Sequence, residues 1–174
     1  MPNKKFSCVV GLCLMLMLTA TNLHGQETDI NVPLYTGLAV PGLDRGSGIY
    51  IGTNPSLGIT NRLRLEMQAS FARIDIGSSF LSGRTGFETH LNILAGARFY
   101  LIRNEDGSNI FVNGLTGFNR NNRDLSGLTA TTSNQLGLSG GAYYERKRFI
   151  AGIAAETNAY LVLKVGISLY DTSR

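Results

Sequence analysis

From Leu161 to Tyr170 the chain alternates strictly. Leu161, Leu163, Val165, Ile167 and Leu169 fall on one side, and Val162, Lys164, Gly166, Ser168 and Tyr170 on the other. A period of two marks a β-strand lying between an apolar and a polar medium. The same alternation recurs in about eight segments separated by turn residues, with no heptads, no long helical period and no linker between them.

The first segment is Ile30–Val40, with Ile30, Val32, Leu34, Leu38 and Val40 opposite Asn31, Tyr35 and Gly37. The second runs from about Ser47 to Ile59 and is interrupted by Pro55, which suggests an edge or a bulge. The third sets Leu63, Leu65, Met67, Ala69 and Phe71 against Arg64, Glu66, Gln68 and Ser70. Its register reads as slipping near Ala72, as at a bulge. The fourth sets Phe87, Leu91, Ile93, Ala95, Ala97, Phe99 and Leu101 against Glu88, His90, Asn92, Gly96, Arg98 and Tyr100. Ile110–Asn119 is the fifth, Gln135–Glu145 the sixth and Phe149–Glu156 the seventh. The polar stretches Ile76–Gly86 and Arg120–Ser133 read as long loops, and "TNR", "RNEDGSN" and "RKR" as short turns.

The charges decide which face looks inward. Arg64, Glu66, Glu88, His90, Arg98, Glu145, Glu156 and Lys164 all sit on polar faces, and the apolar faces carry no charge within the strand cores. The polar faces are also rich in glycine and nearly balanced in sign. That suits a tight closed lumen, where an unpaired charge would be costly. Phe71, Phe87, Phe118 and Tyr160 would mark one rim, and Phe99, Tyr144, Phe149 and Tyr170 the other, as interfacial aromatic girdles do. Strands of about ten residues are long enough to cross a bilayer when tilted. The expectation is an all-β, antiparallel, up-and-down transmembrane barrel of about eight strands, its aliphatic face in lipid and its charges inside. Closure matters because an unpaired sheet edge cannot sit in hydrocarbon.

"IYIGTNPSLGI", a tight turn and "LRLEMQASF" resemble a hairpin of the outer-membrane protein β-barrel domain family. The terminal "KVGISLY", with Lys164, Gly166 and Leu169, resembles the C-terminal signal read by the barrel-assembly machinery, although Asp171 stands where that pattern has an aromatic. The resemblance implies insertion in the outer membrane of a Gram-negative envelope, with lipid and the assembly machinery as partners. It implies no single activity.

The composition is 43% hydrophobic and 16% charged, with 21 glycines and no tryptophan. The N-terminal residues 1–25 read as a signal peptide: Lys4 and Lys5, an apolar run from Phe6 to Leu18, and a cleavage site near Gly25. The barrel domain is then 26–174. Both cysteines, Cys8 and Cys13, lie in the signal, so the mature domain has no disulfide. Of 16 basic and 12 acidic residues the signal removes two lysines, and the near-neutral remainder gives no warrant for nucleic-acid binding. His90 is the only histidine of the barrel domain, and without cysteine it cannot build a zinc site. With Glu88 and serines 78, 79 and 82 it could serve a lipid-modifying enzyme, but no spacing fixes a triad. The reading is a monomeric barrel with no cofactor and no catalysis. Its role is structural or surface-interacting, and its lumen is filled by the eight polar residues above. A narrow channel and a soluble lipid-binding barrel are the competing forms.

Overall fold

The computed structural model describes residues 29–40, 46–76, 86–157 and 160–171, the side chains of Tyr160 and Asp171 excepted. The signal peptide, the "PGLDRG" turn up to Arg45, serines 78, 79 and 82, the turn after Thr157 and the last three residues lie outside this set.

The described chain is all-β and closed. Its segments are β1 (Ile30–Val40), β2 (Gly48–Thr53), β3 (Ser56–Gly58), β4 (Leu63–Ile76), β5 (Gly86–Arg103), β6 (Ser108–Leu125), β7 (Thr131–Arg146), β8 (Phe149–Glu156) and β9 (Tyr160–Asp171). β2 and β3 are two halves of one wall strand, since both pair with β1 and with β4, so the wall has eight strands. Every neighbouring pair is antiparallel, and β9 pairs with β1 to seal the barrel. Paired residues can be followed once around the wall, from Leu63 through Phe99, Val112, Ala142, Ile153, Leu163, Leu38 and Ile49. The path returns to β4 at Arg73, ten residues from its start. With eight strands, that stagger tilts the strands by about 40° and leaves an interior just wide enough for side chains.

The alternation read from the sequence is the inside–outside alternation of this wall. Leu38, Ile49, Leu65, Leu136, Leu163, Val165 and Leu169 are outward and exposed, while Arg64, Glu66, Arg98 and Lys164 are buried. A soluble lipid-binding barrel needs the reverse arrangement, so that form is excluded. No helix of the described residues is long and apolar enough to cross a membrane; the strands present the apolar surface.

Three expectations need correction. The register does not slip near Ala72: β4 pairs with β5 without a break from Leu63 to Ile76. What changes is the chemistry of the faces, since Ala72, Ile74 and Ile76 turn inward while Arg73 and Asp75 turn outward. At that end of the strand the outward side no longer meets hydrocarbon, so polarity stops reporting the face. For the same reason Arg120–Ser133 is mostly not a loop. β6 continues to Leu125 and β7 begins at Thr131, their ladder holding polar residues extended. Pro55 produces neither an edge nor a bulge. Thr53 faces Ala69 and Ser56 faces Glu66, an equal step on both strands, and the Pro55 carbonyl still accepts from the Met67 amide. The irregularity lies at Pro33 instead, where the β1–β9 register shifts.

Two inward glycines make room for aromatic rings. A Cβ at Gly152 would collide with the Tyr143 ring and the Ala142 carbonyl, and one at Gly166 would lie 2.7 Å from the Tyr35 ring. The glycine-rich inner face thus buys space for tyrosines, which stabilises the wall by covering its barest backbone.

Candidate functional site

The interior is a polar network in layers, built by whichever strands turn a given residue inward. At its centre Arg98 of β5 and Glu66 of β4 form an ion pair through the Arg98 Nε, and neither side chain is exposed at all. The other Glu66 oxygen accepts from Asn54 Nδ2 and Asn113 Nδ2, each at 2.7 Å. The Arg98 guanidinium lies 4.2 Å above the Phe111 ring, which stacks on Tyr143 at 4.9 Å. A cation held between a carboxylate and an aromatic face is offset electrostatically from both sides.

Towards the outer end, Lys164 Nζ bonds Glu156 Oε1 at 2.6 Å and stands over the Tyr50 ring. Gln68 and Asn92 donate to the same carboxylate, each at 3.0 Å. Asn54 also reaches Gln68 Oε1 at 3.4 Å, so a chain of amides joins the two ion pairs. Asn92 accepts from Asn119, which in turn accepts from Gln135, extending the chain outward.

The remaining expected residues lie at the two ends. Glu88 pairs with Arg123 at 3.0 Å, and His90 Nε2 stands 3.5 Å from Glu88; both Glu88 and His90 are buried. At the short-turn end Arg64 binds Asp29 through both terminal nitrogens, and Glu145 accepts from the Tyr100 hydroxyl at 3.2 Å. All eight residues singled out from the sequence are therefore buried inside one barrel, the two central ion pairs joined by amides and the other four residues at its two ends. Asp29 and Arg123 enter as partners that alternation could not find. Asp29 precedes the first strand, and Arg123 lies in the stretch that reads as a loop. Asn54, Gln68, Asn92 and Asn113 carry much of the bonding; their signal was only their place on a polar face.

Chemically the arrangement is a plug. Arg64, Arg98, Arg123 and Lys164 each meet a carboxylate, amides occupy spare lone pairs of Glu66 and Glu156, and Tyr35, Tyr50, Tyr100, Phe111 and Tyr143 fill the space between. Among the described residues no group of three or more His, Cys, Asp or Glu side chains could hold a metal ion. A lumen so filled should pass ions poorly. Purified protein in planar bilayers is expected to give no steady single-channel current, and large stable currents, lost on changing Glu66 to Gln, would overturn this.

No family model matches the sequence, and no curated protein matches it. Solved structures do. Ail, the attachment invasion locus protein of Yersinia pestis, in complex with the heparin analogue sucrose octasulfate, is 14% identical. The alignment covers 82% of this chain and 97% of that one, with a TM-score of 0.51. Neisserial surface protein A is 16% identical over 82% of this chain and 94% of its own, with a TM-score of 0.41. The match to Ail shows the fold: a small eight-stranded barrel of the outer-membrane kind.

Proposed function

We propose that the chain is an integral outer-membrane protein that docks extended polypeptide segments at the cell surface. In this reading it is a monomer, its lumen is a structural plug, and it performs no catalysis. It reaches the membrane through the barrel-assembly machinery, by way of β9. What supports a docking role is the open edge of β7. β7 pairs with β6 from Arg146 up to Thr131, but with β8 only from Arg146 up to Ser139. Beyond that point Thr157 takes both backbone groups of Leu138. Alternate residues of a strand point their N–H and C=O to the same side. Thr132, Asn134 and Leu136 therefore offer theirs to a side on which no described strand lies.

Such an edge accepts an added strand through backbone bonds. The side chains around it, Thr132, Ser133, Asn134 and Gln135, are uncharged. Binding should therefore favour extended, Pro-free, uncharged segments and depend little on salt. His90, 2% exposed, is closed off from lipid and from solutes, which supports the non-enzymatic reading.

The test is binding of Ser-, Thr- and Asn-rich peptides to nanodisc-embedded protein. Asn134→Pro removes an edge donor without touching the β6 ladder, and should abolish binding while heat-modifiable gel mobility persists. Asn122→Ala, on the outer surface beside the edge, should bind normally. Peptides held equally well by Asn134→Pro would sink the reading.

A further inference from the structure

The outer face of the wall changes from apolar to charged at one level. On β4 the next outward residue after Phe71 is Arg73, and on β6 the next after Phe118 is Arg120. In outer-membrane barrels the short turns face the periplasm, so this level is the edge of the outer leaflet's hydrocarbon. Arg73 pairs in the ladder with Thr89 of β5, and Thr89 pairs with Asn122 of β6, two residues beyond Arg120. Ladder rows climb around a wall tilted by about 40°, and that climb offsets the two-residue step. The two arginines therefore stand at one height, their Cα atoms about 12 Å apart across β5.

Both arginines are exposed, and among the described residues neither takes part in an ion pair. The Arg73 guanidinium lies 4.4 Å from the centre of the Phe87 ring. Phe87 belongs to β5, so this cation is carried off its own strand toward Arg120. A guanidinium over a ring keeps N–H donors for another partner. Below the arginines the wall thins. Ala95, Thr116, Gly114, Gly140 and Ala155 floor a lipid-facing groove of about 610 Å³ that crosses β5 to β8. It begins at Thr116, four residues down β6 from Arg120, or about 13 Å along the strand. A Cβ at Gly114 would meet nothing within 4 Å, and one at Gly140 only the Asn113 carbonyl at 3.7 Å. No described neighbour requires glycine at either place, unlike at Gly152 and Gly166. A strand glycine that packing does not require marks a place where something else approaches the backbone.

We infer that this face holds one outer-leaflet lipid bearing a phosphate monoester. Its phosphate sits between Arg73 and Arg120, and one acyl chain lies in the groove over Gly114 and Gly140. A phosphate monoester carries a charge of about −1.5 to −2 near pH 7, which two arginines match better than they match a zwitterionic headgroup. The clamp alone would suit any such anion, and the groove alone any chain. Set one above the other across the hydrocarbon boundary, they suit a lipid that has both. A second copy of the barrel fits worse. Two barrels in one membrane pair about an axis along its normal, which would bring four arginines together at one height. The groove lies below the β7 edge and leaves its free backbone groups alone, so peptide docking there stands or falls separately.

The experiment places full-length protein in bilayers of equal parts dioleoyl phosphatidic acid and dioleoyl phosphatidylcholine, releases it gently into detergent and weighs it intact by mass spectrometry. One phosphatidic acid per barrel is expected to stay bound, preferred over phosphatidylcholine by about fivefold or more, the scale of two ionic contacts at an interface. Arg73→Gln with Arg120→Gln should remove the preference, whereas Arg146→Gln, at the opposite rim, should keep it. Gly114→Leu has open space for its side chain, so it keeps the fold and fills the groove. It should lower retention of dioleoyl phosphatidic acid about threefold or more. Dihexanoyl phosphatidic acid, whose chains stop short of the groove, should bind the parent and Gly114→Leu alike. Equal retention of the two dioleoyl lipids would overturn the site, since the lipid would then be ordinary solvent. So would a preference that survives the double arginine change, or full retention by Gly114→Leu. Displacement of the lipid by millimolar inorganic phosphate would reduce the site to a phosphate clamp, and release of the protein as a dimer would give the face to a second copy; either result overturns the proposal.

Discussion

Replacing Glu66 by alanine is expected to cost the barrel about 3–5 kcal/mol, the penalty of leaving a fully buried charge without its partner. Glu66 is the right member to remove. If Arg98 goes, the Glu66 carboxylate keeps two amide donors, Asn54 and Asn113. If Glu66 goes, the Arg98 guanidinium keeps the Phe111 face and the Tyr100 hydroxyl but no carboxylate partner among the described residues. Both single variants should be severe, with Glu66→Ala the worse. The double variant should recover part of the loss, because a cavity without charge is cheaper than a charge without a partner. Urea unfolding in lipid gives the four corners of the cycle. Arg62, on an exposed turn, is the control and should change stability by less than about 0.5 kcal/mol. Arg123 would not serve as one, since it pairs with buried Glu88. If Glu66→Ala behaves like the Arg62 variant, water fills the lumen, and the channel form rises above the plug.

What could be read in the chain followed the solvent on each side of the wall. Where strands cross hydrocarbon, outward positions must be apolar and inward ones need not be, so period two is written plainly in β9, β5 and the lower part of β4. Beyond the lipid, both sides of the strand meet polar surroundings and the pattern fades. That is why the ends of β4, β6 and β7 are not legible in the alternation. The lumenal residues were legible as a set, because charge on a lipid-spanning strand has only one place to go. Their pairing was not. Glu66 meets Arg98 through the barrel's stagger, which brings Arg64 level with Arg98 in the ladder and leaves Glu66 opposite Gly96. A missing side chain on Gly96 and a long one on Arg98 make the diagonal contact, and nothing in one strand's alternation encodes it. Asp29 was invisible for a different reason: it lies outside any alternating segment and is held by Arg64, by Arg103 and by the Gly58 amide.

Arginine at Val165 tests the outer face as Glu66 tests the inner one. Val165 is the middle of the five outward aliphatics of β9 and is 53% exposed, which in a membrane means exposed to acyl chains. An arginine there must sit near the midplane or drag water to it, at a cost of about 2–4 kcal/mol in lipid. Depth separates this from a packing effect. Leu169 is also outward but lies next to Tyr170 at the rim, so Leu169→Arg can reach the headgroups and should cost only about 0–1 kcal/mol. Ser168→Leu probes the other side of the same strand. Ser168 is buried, accepts from Asn31 and donates to the Tyr170 carbonyl, so leucine there should cost about 1–3 kcal/mol by stranding both partners. The three variants rank the environments along one strand: midplane lipid first, lumen second, interface last. Equal effects at Val165 and Leu169 would mean that no hydrocarbon layer separates them. An order led by Ser168, with Val165→Arg silent, would put water outside the wall.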